Sequence, residues 1–337
     1  MYIIIALLAL GVLIIVHELG HFIMAKVNGV YVEEFSLGMG PKIFGFKGKE
    51  TEYTLKAFPI GGYVKMLGED EVVEGDKKAF CNKSPLQRIS IIIAGPLMNF
   101  LFAIIVFSVI TMNKGYVTNI VNGLIPNSPA ESIGIDVGDK IIGINEKKIS
   151  TWQDLTTEIY VSNGESLNII VDRNGEEKNF NVKPYFNEEE QRYLVGVEPR
   201  TVADPTFIES VKQSCKEIKS LVIQTYAALK SLITGHGSLQ DLGGPVSIVK
   251  ISGAAAKAGI WNFLNFVAYL SLQLAVLNLL PFPALDGGWT VILLIELISR
   301  RKVNDKIVGT LNYIGFSILI LLMILVTIKD ILFPIKI

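Results

Sequence analysis

The residues best placed to do chemistry stand near the start of the chain: His17-Glu18-Leu19-Gly20-His21, an H-E-x-x-H. On a helix the i, i+4 spacing sets both imidazoles on one face, where they can share a Zn2+. Glu18 stands beside them to hold and deprotonate an attacking water. Two histidines leave a catalytic zinc one protein ligand short. A candidate is Asp286 in the run Asn278-Leu-Leu-Pro281-Phe-Pro283-Ala-Leu-Asp286-Gly-Gly288. Its prolines and glycine pair break a helix, free the backbone and can turn a carboxylate inward. Asp286 would serve equally as the N-cap of a helix running through Glu296, and the spacing leaves both roles open.

The setting of these residues narrows the chemistry. Of 337 residues half are hydrophobic and 19% charged, with mean hydropathy +0.45 and net charge 31 minus 32, or −1. That composition excludes disordered, collagenous and disulfide-stapled chains and is too apolar for an ordinary soluble enzyme. Four stretches nearly free of charge, Tyr2 to Met24, Ile89 to Met112, Trp261 to Leu280 and Ile307 to Ile328, are each long enough for a transmembrane helix. The first lacks a basic leader and an A-x-A site, so it reads as a retained span rather than a cleaved signal peptide. The H-E-x-x-H therefore lies inside a membrane helix. Ionisable side chains there cost about 2.5–3.5 kcal/mol each on insertion scales and call for a compensating partner such as a metal.

Basic residues set the orientation. Lys26, Lys42, Lys47, Lys49, Lys56, Lys65, Lys77, Lys78 and Lys83 fall between spans one and two, and Arg300, Arg301, Lys302 and Lys306 between three and four. Both loops are expected to be cytoplasmic, which puts both termini and the 113–260 segment outside and the motif near the cytoplasmic side. That segment carries 15 basic and 18 acidic residues, so no nucleic acid is expected as a partner. Cys81 and Cys215 fall on opposite sides, and no disulfide is expected between them.

The outer segment reads as a small mixed domain followed by a helix. Val117 to Val121 is strand-like, Ser128 to Glu131 opens a short helix, and Gly138-Asp139 turns into an apolar strand. A second helix fits Trp152 to Tyr160, and two strands flank the hairpin signal Arg173-Asn174-Gly175. The resulting β-α-β-α-β-β order, with Asn127-Ser-Pro-Ala, Gly134, Gly138-Asp139 and Ile144-Asn145, resembles the PDZ domains of membrane and periplasmic proteases. The chain departs from that pattern at Ile133-Gly134 and Asn145-Glu146, so the shape carries over better than a ligand preference, and a plain spacer domain is the alternative. Phe207, Val211, Cys215, Ile218, Val222, Tyr226, Leu229 and Ile233 then recur every three or four residues, an amphipathic helix able to lie on the outer membrane face or to pack on the PDZ domain. Asp241 to Pro245 reads as a break before the third span. His236, between two glycines, reads as an exposed loop residue.

The cytoplasmic loop is β-rich at Tyr31 to Phe35, Thr51 to Phe58 and Tyr63 to Met66, punctuated by Gly38-Met39-Gly40 and Gly61-Gly62. One reading is a sheet dipping into the membrane whose edge pairs with an extended substrate strand; a purely structural loop is the other.

With these motifs in view the chain resembles the site-2 protease family of intramembrane zinc metalloproteases, in its RseP-like bacterial branch. The resemblance rests on H-E-x-x-H at 17–21, the N-x-x-P-x-P-x-L-D-G-G run from Asn278 to Gly288, and Gly95-Pro96-Leu97-Met98-Asn99 in the second span. It covers essentially the whole chain. It implies one zinc per chain held by His17, His21 and Asp286, Glu18 as general base, and Asn99 assisting near the substrate backbone.

The fold class expected is a polytopic α-helical membrane protein of four transmembrane helices, with an inserted extracytoplasmic α+β PDZ domain and a membrane-associated cytoplasmic β-rich loop. The first two spans occupy 1–112, with that loop at about 25–86. The PDZ domain follows at 113–186, the amphipathic helix and connector at 187–260, and the last two spans at 261–337. Members of this branch often carry two PDZ domains, and here there is room for one, as in Gram-positive relatives.

The resemblance further implies regulated intramembrane proteolysis in the bacterial cytoplasmic membrane. The partners would be the lipid bilayer and single-span substrates, anti-sigma factors or signal-peptide remnants, already trimmed by another protease. The PDZ domain would act as a size-excluding gatekeeper. The rivals are a PDZ-bearing scaffold, which has no need of Glu18, and a metal transporter, which should show ionisable residues along several spans, whereas the charge-free stretches of spans two and four have none.

Overall fold

The computed structural model describes residues 2–69, 73–235 and 243–334. It holds two compact units, one of Met1–Val106 with Thr225–Ile337 and one of Phe107–Gln224.

The first unit opens with α1 (Tyr2–Val27), almost wholly apolar apart from the motif and Lys26. The chain then enters β1 (Val32–Lys47) and β2 (Glu52–Met66), which fold back on each other into a four-segment meander. Residues 42–47 pair with 52–56, those with 34–37, and 34–37 in turn with 62–65. Gly38, Gly40 and Gly61 sit at the bends with φ of 82°, 90° and 84°, backbone that side-chain-bearing residues rarely adopt. The base of the meander is anchored by Val30, Val32, Val64 and Met66, packed with Ala25, Ile91 and Leu293. Its far end leaves Met39, Ile43, Phe44 and Phe58 exposed, and Phe46 is exposed on the outer strand. The strand at 42–47 lay outside the β-rich stretches read from sequence, because Pro41 and two lysines obscure its alternation.

The helix α2 (Pro85–Lys114) leads into the second unit. There β3 (Tyr116–Leu124), α3 (Pro129–Ser132), β4 (Lys140–Ile144), β5 (Lys147–Lys148), α4 (Trp152–Val161), β6 (Leu167–Arg173) and β7 (Glu176–Val182) follow in the order read from sequence. Both helices are capped as their sequences suggest: the Ser128 hydroxyl accepts from Glu131 N, and Thr151 and Asp154 form a capping box. The hairpin β8 (Tyr185–Asn187) with β9 (Arg192–Leu194) and the strand β10 (Val197–Val202) come next. β10 joins the main sheet, whose order is β10-β3-β4-β6-β7 with β5 on β4. The compact unit therefore runs past residue 186, the end set from sequence. β10 has no apolar alternation and pairs with a strand about eighty residues earlier, a partner that local pattern cannot reveal.

The helix α5 (Phe207–Ile233) matches the periodic stretch. The residues it buries are largely small and polar, Ser210, Gln213, Ser214 and Ser220 with Ile218, while Phe207, Ile223, Tyr226 and Ile233 stay exposed. Within the second unit, the Ser220 hydroxyl and the Gln224 amide both donate to Asp154 of α4. Serine lets helix surfaces approach closely, and this polar seam, rather than the apolar stripe, is the packed face.

The first unit resumes with α6 (Pro245–Lys257), α7 (Ile260–Asn278), α8 (Asp286–Ser299) and α9 (Asp305–Leu332). The helix α6 was not expected. It packs on α1, α7 and α9, and its first turn is held where Ser247 N donates to Asp330 Oδ2 at 2.8 Å. Residues 236–242, with His236 and the first two residues of the break placed before the third span, lie outside the described residues. Among the described residues four helices are long and apolar enough to cross a membrane, Ile5–Val27, Pro85–Lys114, Ile260–Asn278 and Lys306–Leu332, where the charge-free stretches placed them. Arg88, just outside the second such stretch, is buried against Glu296 of α8 at 2.8 Å.

Candidate active site

Three elements of the first unit build the site. The α1 spacing puts His17 and His21 on one face with Nε2 atoms 3.2 Å apart. Asp286, the first residue of α8, sends its Oδ2 to 3.2 Å from His17 Nε2 and 3.7 Å from His21 Nε2. The helix break is what allows this. Leu285 is the N-cap, and Gly287 and Gly288 press on the carbonyl ends of Leu279 and Phe282 where a Cβ would come within 2.7 Å of the backbone. Asp286 thus stands one position inside the helix start, with Leu285 in the N-cap place read for it from sequence, and its carboxylate faces the histidines.

The loop before Asp286 is pinned by α9. Ala284 has φ of +72° and its N–H donates to Asn312 Oδ1 at 3.2 Å. Left-handed backbone costs a non-glycine residue about 1 kcal/mol or more, so the surroundings must hold it. Gly315, one turn further on, lies where a Cβ would be 2.6 Å from that of Pro283.

The α2 helix supplies the back wall. A Cβ on Gly20 would fall 2.6 Å from the Ala94 carbonyl carbon, so α1 and α2 touch backbone to backbone. Gly95 lies directly against both imidazoles. His21 Nδ1 is 2.9 Å from the carbonyl oxygen of Ile91, a pure acceptor, so Nδ1 carries the proton and Nε2 is bare. Asn99 is wholly buried, with Nδ2 3.4 Å from His17 Nδ1, on the side of the ring away from Asp286. Glu18 faces the sheet. The backbone N–H of Val64 donates to its carboxylate, and a Cβ on Gly62 would stand 3.3 Å from its Cγ.

These atoms fit a metal ion. Bare imidazole nitrogens and a carboxylate oxygen repel one another unless a cation lies among them. The three ligand atoms lie within 4.8 Å of one another, and Asp286 Oδ2 is buried without a hydrogen-bond donor. Two imidazoles and a carboxylate are a donor set that zinc accepts. Sequence reading brought together His17, Glu18, His21 and Asp286. It missed the Ile91 carbonyl, the Val64 N–H and Asn312, since the first two are backbone groups and Asn312 is one polar residue in an apolar helix.

The profile of peptidase family M50 matches residues 5–322, and the chain belongs to that family. Relatives match it end to end. A Clostridium perfringens protein named provisionally as a zinc metalloprotease is 48% identical over 336 residues, 99% of this chain and 100% of its own. A protein of Clostridium acetobutylicum with the same provisional name is 47% identical over 334 residues, 99% of this chain and 98% of its own. The zinc metalloprotease RasP of Geobacillus kaustophilus is 31% identical over 404 aligned positions, 95% of each chain. Among solved structures, the PDZ domain of an SdrC-like protein from Listeria monocytogenes aligns with 26% of this chain and 87% of its own at 16% identity and TM-score 0.21, too slight a likeness to carry an argument.

Proposed function

We propose that this chain is an intramembrane zinc metalloprotease of the site-2 type, which hydrolyses peptide bonds within the membrane segments of single-span proteins. The observation that carries the reading is the meeting of His17, His21 and Asp286 around one point, with Glu18 beside them, in a helix apolar enough to span a bilayer. His17, His21 and Asp286 would hold the zinc. When bound, zinc acidifies a water and polarises the scissile carbonyl. Glu18 takes the proton of that water and returns it to the leaving amine, and the Val64 N–H keeps its carboxylate turned to the site.

A helical substrate must unwind before its carbonyls can be attacked. The segment 62–66 supports the edge-strand reading of the loop. It pairs with 32–37 on one side, no second partner strand is recorded for it among the described residues, and its Val64 N–H faces Glu18. The exposed Met39, Phe44 and Phe58 at the far end suit entry of the sheet into the bilayer.

The positive-inside argument places this loop and the site toward the cytoplasm, and the second unit and both termini outside. The second unit is proposed as a PDZ domain that excludes bulky substrates, so that only proteins already trimmed by another protease are admitted. Deleting 116–202, the whole of that sheet, should then broaden the substrate range, and an unchanged range counts against the gatekeeper.

The primary test is bound zinc and cleavage of a model single-span substrate for the detergent-purified wild type, Glu18→Gln and Asp286→Ala. Expected are about one zinc per chain, zinc kept but cleavage lost by a factor of at least ~100 in Glu18→Gln, and weakened zinc in Asp286→Ala. A wild type without zinc, or a Glu18→Gln variant that cleaves normally, would overturn the reading.

A further inference from the structure

A histidine that binds metal through Nε2 must leave that atom bare, so the neutral ring carries its proton on Nδ1 and needs an acceptor there. For His21 the acceptor is in place, the carbonyl of Ile91. For His17 the group facing Nδ1 is the Asn99 side-chain amide, with Nδ2 turned toward the ring at 3.4 Å, while Asn99 Oδ1 is buried with no donor in reach. That orientation sets two donors against each other once His17 carries its proton on Nδ1. A half-turn of the amide exchanges its nearly isosteric ends and brings Oδ1 to the ring.

We infer that Asn99 is a positioning residue whose Oδ1 accepts from His17 Nδ1–H when His17 binds metal through Nε2, and so holds that ring in its ligating tautomer and orientation. The inference rests on the proposed role of His17 as a ligand. It assigns Asn99 to the histidine rather than to the substrate, which accords with a side chain that has no exposed surface. The surrounding structure is built to keep it there. The Asn99 carbonyl accepts from the buried Ser271 hydroxyl of α7 at 3.0 Å, which pins that turn of α2. The two histidines are thus oriented by different means, one by a backbone carbonyl that no side-chain substitution removes, the other by a side chain that one can.

The chain has three histidines, so nitrogen-15 histidine NMR of the zinc-loaded, detergent-purified protein can read which ring nitrogen of each carries the proton, with His17 assigned through His17→Gln. Expected is His17 protonated on Nδ1 in the wild type and in Asn99→Asp, whose carboxylate also accepts, with zinc affinity close to wild type in that variant. Asn99→Leu should lose the preference and bind zinc about 10–100-fold more weakly. A wild type with the His17 proton on Nε2 overturns the inference whether or not any variant folds, and so does an Asn99→Leu protein with wild-type zinc affinity. Zinc binding untouched by His17→Gln would instead overturn the ligand assignment beneath it.

Discussion

Gly95 of α2 lies so close to His21 of α1 that a Cβ at Gly95 would stand 2.6 Å from His21 Cε1, and closer still to Nε2. It would also be 2.9 Å from His17 Cε1, so the absent side chain is the space in which the two rings meet.

Gly95→Ala is therefore expected to push the imidazoles off their present positions. Overpacking of this kind costs about 1–3 kcal/mol. Zinc affinity should fall at least tenfold and cleavage with it, read by metal competition alongside melting temperature. Wild-type zinc binding in this variant would show that the rings have slack.

Val64→Pro removes the N–H that bonds Glu18 and breaks the segment proposed to pair with substrate. Cleavage should drop far more than zinc content, because no ligand is touched. Normal turnover would refute both roles of this strand.

Asn312→Leu takes away the acceptor of the Ala284 N–H in the loop that delivers Asp286. A fully buried donor left unsatisfied costs about 1–3 kcal/mol and this half-buried one less, and the left-handed Ala284 loses its support. Melting should fall and zinc affinity weaken, whereas Ala284→Gly in the same background should restore part of both. No rescue by glycine would mean that backbone strain at Ala284 is not what Asn312 holds.

Arg88 and Glu296 form a buried pair between α2 and α8 at 2.8 Å, and Glu296 Oε1 also accepts from Val303 N. Arg88→Met alone strands a buried carboxylate and should cost about 3–5 kcal/mol. The double variant with Glu296→Met should recover much of that loss in a thermal-melt cycle; strictly additive effects would show that the pair does not interact.

In the second unit Asp139 is buried, which by itself raises its carboxyl; the Arg173 guanidinium, with Nε 2.6 Å away, and the Asp136 N–H override this and hold it below the usual carboxylate range. A depressed folded-state value means that the stabilisation is complete above the unfolded value near pH 4 and is lost as the pH falls through the folded one. Hydrogen exchange in the β6–β7 hairpin should accelerate below about pH 4 in the wild type and lose that dependence in Asp139→Asn. An identical acid response in both proteins would assign it to other carboxylates.

The sequence by itself determined what depends on neighbours along the chain. The i, i+4 histidines share a helix face, with Glu18 beside them, by the geometry of any helix, apolar length marked four candidate spans, and Phe207 to Ile233 showed its period. Capping residues and the Asn-Gly hairpin placed most elements of the second unit. Asp286 was legible because prolines and glycines announce a broken helix.

Tertiary structure decided everything that turns on residues distant in sequence. β10 finds β3 across eighty residues, and α5 buries a row of serines with Ile218 while Phe207, Tyr226 and Ile233 of its apolar stripe stay exposed, Ser220 and Gln224 being tied to Asp154. Asn99 lies behind His17, Ile91 orients His21 through a backbone carbonyl common to every residue type, and Gly95 acts through an absence of atoms. Pattern in a sequence records which side chains are apolar and at what period, whereas a metal-ready site depends on lone pairs converging within a few ångströms, and that convergence is set by packing between helices.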